Sequence, residues 1–264
     1  MTQGIFSNYE KEVARLLGGF NPTKSRAIQY SKYTHLQQDF SGWAAIQKLS
    51  EALWCPGWKR QVGNNWVWRG AGEVSDQNAS REVLLERAIV KAESCLWANQ
   101  MSTASGVEGE KLHKRRAIDL VYRNGDRHYS FIELKVDSDN PLYASFELLG
   151  YGLAYLHARR SGWQGHGDHN VMLSEQIDLI VLSPESWYFY SERGSPRKFP
   201  FDLGWLTSQI NQGLSALTEN RPSMKLSFQS FKYDRLADPV TAAEQAKWAI
   251  IEAAPSWRQL GTQS

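Results

Sequence analysis

The stretch RRAIDLVYRNGDRHYSFIELKV, Arg115 to Val136, constrains the fold more than any other part of the chain. Two apolar runs flank Asn124-Gly125, a pair that tolerates the positive φ a two-residue hairpin turn requires. Residues 115–123 and 128–136 are therefore predicted to be neighbouring antiparallel strands. Each carries charge where a sheet favours apolar side chains: Asp119 in the first, Glu133 and Lys135 in the second. Strand side chains alternate faces, so Glu133 and Lys135 share one face while Ile132, Leu134 and Val136 take the other. Asp119 falls across the hairpin from that pair or close to it. Burying an unpaired carboxylate costs several kcal/mol. A divalent cation offsets that cost, because Mg²⁺ favours carboxylate oxygens while keeping waters of its own. A lysine beside such an ion stabilises developing negative charge or positions a water.

The flanking elements set this hairpin in a larger sheet. Residues 8–17 read as a helix closed by Gly18-Gly19, and residues 40–54 as a second helix. WKRQVGNNWVWRG (58–70) holds two short runs around Gly63-Asn64-Asn65 and reads as a further hairpin. Leu84, Leu85, Ala88, Ile89 and Ala92 recur at three-to-four spacing, predicting a long helix from Arg81 to about Asn99. Asp139-Asn140-Pro141 supplies a capping side chain and a first-turn proline, starting a helix that runs to about Arg160. IDLIVLS (177–183) is suited to a central buried strand, and WYFY (187–190) reads as one more. The tail offers a helix from Asp202, a strand LSFQSFKY (226–233), and a last helix from Asp238-Pro239. In that last helix Thr241 and Glu244 are spaced as a capping box. The order predicts an α/β fold, one mixed sheet with helices on both faces. Residues 1–77 are expected to form a helical and hairpin region, 78–192 the core, and 193–264 a helix-strand-helix extension.

Composition narrows the function. A balance of 30 basic against 28 acidic residues leaves a net charge of +2, so any nucleic-acid footprint is local. The two cysteines, Cys55 and Cys95, are in no CxxC spacing, which excludes a disulfide scaffold and a zinc ribbon and points to a reducing compartment. The first 20 residues lack a basic segment followed by an apolar run, and no apolar stretch is long enough for a bilayer. The expectation is a soluble, cytoplasmic protein. GxxxxGK, GxGxxG, HExxH and GxSxG motifs are absent, which removes support for ATP-driven, dehydrogenase, zinc-protease and serine-hydrolase chemistry.

Asp119 followed by Glu133-Leu134-Lys135 resembles the D…(D/E)xK signature of the PD-(D/E)XK nuclease superfamily, over roughly residues 78–190. The element order is similar too, since that family's core runs helix, three strands, helix, strand. The resemblance implies a restriction-endonuclease-like αβα core and a hydrolase, a Mg²⁺- or Mn²⁺-dependent endonuclease. It implies that Asp119 and Glu133 bind metal and that Lys135 is catalytic. A further metal-binding glutamate on the first core helix is matched by Glu86 in VLLERAIV, or by Glu82 one turn earlier. A polar residue early in the following helix is matched by Glu147, where the family often has glutamine, with Tyr151 one turn on. Ile118 stands where the family's name has proline. DNA is the implied substrate ahead of RNA, a choice the residues themselves do not make, and many members work as homodimers.

Plainer readings stand beside this one. Glu133 and Lys135 also fit a same-face ion pair on an exposed half of the sheet, with Asp119 paired to Arg115 or Lys114. A non-catalytic nucleic-acid-binding or scaffold protein that keeps the fold is the rival from another class. A metal-dependent hydrolase of some other substrate is a third. His166, Asp168 and His169 in GHGDHN have metal-ligand composition, but their glycine-rich setting favours a mobile polar loop. Of the basic clusters HKRR (113–116), HARR (157–160) and RGSPRK (193–198), the first enters the hairpin, where Arg115 and Arg116 are placed to hold phosphates. Trp66 and Trp68 are candidates for base stacking, although core packing is the commoner use.

Overall fold

A computed structural model describes residues 5–17, 40–60, 65–68, 80–107, 116–137, 140–165, 169–191, 198–219 and 221–261. The hairpin read from Asn124-Gly125 forms as β2 (Ala117–Gly125) and β3 (His128–Leu134), paired antiparallel with a register shift at the turn. β1 (Trp97–Ser102) pairs antiparallel with β2 on its outer side. β4 (Gln176–Pro184) lies parallel to β3, and β7 (Ser223–Phe231) parallel to β4, giving one mixed sheet ordered β1-β2-β3-β4-β7. Short strands β5 (Phe189–Ser191) and β6 (Lys198–Pro200) form a separate two-stranded ribbon.

Six α-helices are described: α1 (Ile5–Leu16), α2 (Gly42–Leu53), α3 (Arg81–Ala92), α4 (Pro141–Arg160), α5 (Gly204–Thr218) and α6 (Pro239–Ala253). Strand alternation feeds two cores. Tyr129, Phe131, Leu179 and Val181 join α1, α2, α4 and α5 on one face, while Ile132, Leu134, Ile180 and Leu182 join α3 and α6 on the other. Residues from α1 and α2, such as Phe6, Tyr9, Ile46 and Leu49, therefore share a core with the sheet. α4 buries 16 of its 20 residues, as a helix apolar all round must. Asn140 caps it, its side chain accepting from Tyr143 N at 2.9 Å, with Pro141 in the first turn as expected. No helix among the described residues is long and apolar enough to cross a membrane.

Several expectations are corrected. The helix read as reaching Asn99 ends at Ala92, and residues 97–102 are β1. Leu96 and Trp97 continue the helical spacing, but Trp97, Ala98 and Asn99 instead pair with Tyr122, Val121 and Leu120, and tertiary pairing outweighs local pattern. The hairpin read at 58–70 loses its first arm, because Pro56–Arg60 is a 3-10 turn; Gln61 to Asn64 lie outside the described residues. Trp66 is fully buried between Phe131 and Tyr155, and Trp68 packs on Tyr129 and His169, so Trp66 offers no face for a base. Within WYFY only Phe189 and Tyr190 are strand, following a 3-10 turn over Glu185–Tyr188. Asp238, not Thr241, caps α6, accepting from Val240 N and Thr241 N, while Glu244 pairs with Lys247. Lys114, Arg115, His166, Asp168 and residues 193–197 lie outside the described residues.

The HARR cluster is tied into the fold by hydrogen bonds, although Arg160 remains exposed. Arg159 bonds Tyr155 Oη and the Ser174 carbonyl, and Arg160 bonds the Leu217 carbonyl. His157 is buried, stacked on Trp58, and its Nε2 donates to the Ser50 carbonyl at 2.8 Å. Burial pushes its pKa down to about 4. The unfolded chain, with a pKa near 6.5, takes the proton first, so stability falls as pH drops from about 6.5 toward 4. Between pH 7 and pH 5, wild type is expected to lose about 2 kcal/mol more unfolding free energy than His157→Gln. Urea titrations at the two pH values read this directly, and equal losses would refute it.

α2 and α5 cross where two glycines meet. A Cβ on Gly213 would stand 2.5 Å from the Gly42 carbonyl oxygen and 2.4 Å from Ile46 Cγ1. Ala is the better helix former by about 1 kcal/mol, but a clash with backbone is relieved only by moving a helix, at a cost of up to about 3 kcal/mol. Gly213→Ala is expected to lower the urea midpoint at an unchanged slope; a raised midpoint would contradict the crossing.

Candidate functional site

The β2–β3 ladder runs as far as the Leu120–Ile132 pair. Beyond it the N–H of Leu134 donates to Asp119 Oδ2 at 3.0 Å, where a continuing ladder would offer a backbone carbonyl. Lys135 N–H turns the other way, to the Leu182 carbonyl of β4 at 3.0 Å. Asp119 thus stands in for backbone at the point where the hairpin strands stop pairing.

Side chains from four elements, β2, β3, α3 and α4, converge there. Glu133 is 2% exposed and Lys135 8%. Lys135 Nζ lies 2.7 Å from Glu133 Oε1 and 3.1 Å from Glu147 Oε2 on α4. From the opposite layer, α3 adds Glu86, whose Oε2 accepts from Gln100 Nε2 at 2.8 Å, and Glu82, whose Oε1 accepts from Val136 N at 3.1 Å. Asp119, Glu133, Lys135, Glu147, Glu86 and Glu82 are therefore one cluster. Tyr151 sits beneath it, 3% exposed and packed 6.0 Å from the Phe6 ring. Arg116 stands to one side, its guanidinium 4.8 Å over the Phe6 ring and paired with Glu10. The exposed ion-pair reading is excluded by burial, and Asp119 takes a backbone N–H as its hydrogen-bond donor.

Five carboxylates around one ammonium cannot all ionise in a poorly hydrated place. Burial first, then Asp119 and Glu147, push Glu133 well above the ordinary carboxylate range. Burial, then Asp119, does the same to Glu86. Burial raises Asp119 to about 6 against the pull of Lys135. Burial also opposes the charge on Lys135, but Glu133, Glu147 and Asp119 outweigh it and hold its pKa well above normal. One oxygen, Glu133 Oε2, is buried with no hydrogen-bond partner. An orphaned carboxylate oxygen among further carboxylates is the donor chemistry a hard divalent cation takes. Among the described residues no group of three or more His, Cys, Asp or Glu is already arranged to hold a metal ion. Their oxygens are turned instead to Lys135, Gln100 and the N–H groups of Leu134 and Val136.

Gln100 is the member that the sequence concealed. It belongs to β1, read as helix, and its φ of 52° is left-handed backbone that costs a non-glycine residue about 1 kcal/mol or more. Its neighbours Asn99 and Met101 pair with Leu120 and Ile118, which sets Gln100 opposite Asp119. The strained conformation coincides with the hydrogen bond that fixes Glu86. No sequence signal marks such a residue, since its role follows from the ladder.

Compared with known proteins, the chain matches no family model, no curated protein and no solved structure.

Lys135→Met keeps the apolar stem and removes the ammonium, leaving Glu133 and Glu147 without their counter-charge. Stability at pH 8 without added metal is expected to fall by about 3 kcal/mol, read by urea titration. Carboxylates whose folded pKa is raised lose stability as pH rises through that pKa, so the deficit shrinks toward pH 5. A deficit that is absent, or constant with pH, contradicts Lys135 as the counter-ion.

Proposed function

We propose that the protein is a Mg²⁺-dependent nuclease with a restriction-endonuclease-like core, hydrolysing phosphodiester bonds in DNA. The observation that carries this reading is the cluster of half-buried Asp119 with buried Glu133 and Lys135, including the orphaned Glu133 oxygen, at the parting of two strands. The element order supports it. α3, β1, β2, β3, α4 and β4 run helix, three strands, helix, strand, the order that the resemblance implies, and β1 supplies the strand missing from the sequence reading.

In this reading Asp119 and Glu133 hold the metal, and Glu86 is better placed than Glu82 to complete the shell. Glu86 is buried beside Asp119, whereas Glu82 is engaged with the Val136 N–H. Bound Mg²⁺ or Mn²⁺ supplies a water of lowered pKa and neutralises charge on the phosphate. Lys135 keeps its proton and directs its N–H bonds at the attacking water or at the phosphate oxygens as charge develops. Glu147, on a helix buried all round, keeps Lys135 aimed when Glu133 serves another cation. Arg116 holds a neighbouring phosphate.

A non-catalytic nucleic-acid-binding protein is the second reading, favoured by the lysine that already neutralises the carboxylates. One assay separates the two. Plasmid DNA and an RNA of matched sequence are incubated with the protein and Mg²⁺, with EDTA, and with Lys135→Ala. Cleavage of DNA that EDTA abolishes, and that Lys135→Ala slows by about 100-fold or more, is the expected result. Equal nicking by wild type and Lys135→Ala would overturn the enzyme reading.

A further inference from the structure

β1 departs from strand alternation at one residue. Side chains of a strand alternate faces, so residues three apart belong on opposite sides of the sheet. Ala98 and Met101 nevertheless pack in the same core, that of α4 and α5, while Trp97 packs in the other with α3 and α6. β2 does the same: Ile118 and Val121 share the first core, and Leu120 and Tyr122 the second. The alternation therefore slips once in each strand, and the register sets both slips at one level. Asn99 pairs with Leu120 and Met101 with Ile118, and the residues between them are Gln100 and Asp119. In β1 the left-handed backbone of Gln100, at a φ of 52°, makes the slip.

That slip brings together two groups that a regular strand would separate. Consecutive side chains of an extended strand point apart, yet those of Asn99 and Gln100 both bond the carboxyl of Glu86. Gln100 Nε2 donates to Glu86 Oε2 at 2.8 Å. Glu86 is 2% exposed and Asn99 3%, but Gln100 is exposed. An exposed side chain fills no core, and glycine would take the same backbone without strain. The glutamine is thus kept in a costly conformation whose return is its amide.

We infer that Gln100 is a positioning residue for metal binding: with Asn99 it fixes the Glu86 carboxyl in the setting from which Glu86, Asp119 and Glu133 take one divalent cation. The inference rests on the metal site of the nuclease reading and adds a residue outside the D…(D/E)xK pattern. A glutamate side chain has several rotatable bonds, and ordering it only when the ion arrives would cost affinity. Hydrogen bonds made beforehand remove that cost. Neutral amides suit the task, because an amide N–H directs a carboxylate oxygen without the positive charge that would oppose a cation. Glu133 is held otherwise, by the ammonium of Lys135 on Oε1, and its buried Oε2 has no hydrogen-bond partner.

The test reads metal binding, with no nucleic acid and no turnover. Mn²⁺ is titrated into the full chain and the free ion followed by electron paramagnetic resonance. Gln100→Gly removes the amide and suits the backbone, whereas Gln100→Met keeps the length and the backbone but not the amide. Both are expected to bind Mn²⁺ about tenfold more weakly or worse, with urea midpoints close to that of wild type. Glu86→Gln is expected to lose at least as much affinity. Mn²⁺ affinity equal to wild type in both Gln100 variants overturns the inference and leaves the metal site. So does wild-type affinity in Glu86→Gln, since Gln100 would then position nothing. Urea midpoints that fall together with affinity in both Gln100 variants reduce the residue to a tie between β1 and α3, and also overturn it. No Mn²⁺ bound by wild type removes the inference and the metal-dependent reading together. The expected pattern in a protein that cuts no DNA upholds Gln100 in the metal site and removes the nuclease.

Discussion

Glu133 is tolerated inside the sheet because Lys135 stands 2.7 Å away, and Lys135 is tolerated because Glu147 reaches it from α4. Neither half of that arrangement is local. Glu133 and Lys135 share a face only if residues 128–135 are extended, which the ladder to β4 enforces through Lys135 N and the Leu182 carbonyl. Glu147 points at them only if α4 starts at Asn140 and lies flat on the sheet. Its cap fixes the start, and burial on every side removes any alternative rotation. The ion pair thus reports on hairpin register, helix start and layer packing together. A slip of one residue in β3 would carry both charges to the other core, among Leu120, Ile180 and Leu182.

What the sequence made legible was decided within a few residues. Asn124-Gly125 set the hairpin, Asn140-Pro141 set the start of α4, and the apolar run 177–183 became the central strand β4. The charged trio followed from these, since alternation assigns faces once a strand is known. Misreadings came where distant partners decide. Residues 97–102 carry helical spacing and became β1 because β2 offered an unpaired edge. α1 meets α4, more than 100 residues away in the chain, through Tyr9 and Gly150. His157 looked like part of a basic surface because three cationic residues crowd positions 157–160, yet helical geometry turns its ring inward onto Trp58.

Three departures from good local practice meet at the cluster. A buried carboxylate oxygen without a partner, a non-glycine residue at positive φ, and carboxyls pushed up by one another all fall within the cluster. Elsewhere Ser80, Asn140 and Asp238 each cap their helix through the side chain, but Trp66 and Glu219 also have positive φ, the Trp97 and Trp163 indole nitrogens are buried without a partner, and α2 and α5 start without a side-chain cap. Each unfavourable feature of the cluster would be removed by one neutral or apolar substitution, such as glutamine for Glu133. Their coincidence in one small volume is what the proposed metal site rests on.

The charge layout says how that site is approached. Glu82 and Glu86 come from the α3 layer, Glu147 from the α4 layer, and Asp119 and Glu133 from the strands between. Groups from opposite faces of a continuous sheet cannot meet, because the backbone ladder separates them. They meet here because β2 and β3 stop pairing beyond Leu120 and Ile132, where Asp119 takes the Leu134 N–H in place of a backbone carbonyl. Lys135 lies on the α4 side, against Glu147 and with the Tyr143 ring centroid 5.9 Å from its Nζ. Glu82 and Glu86 lie toward α3, the side on which the proposed ion would sit, so that it and Lys135 would reach Glu133 from opposite directions.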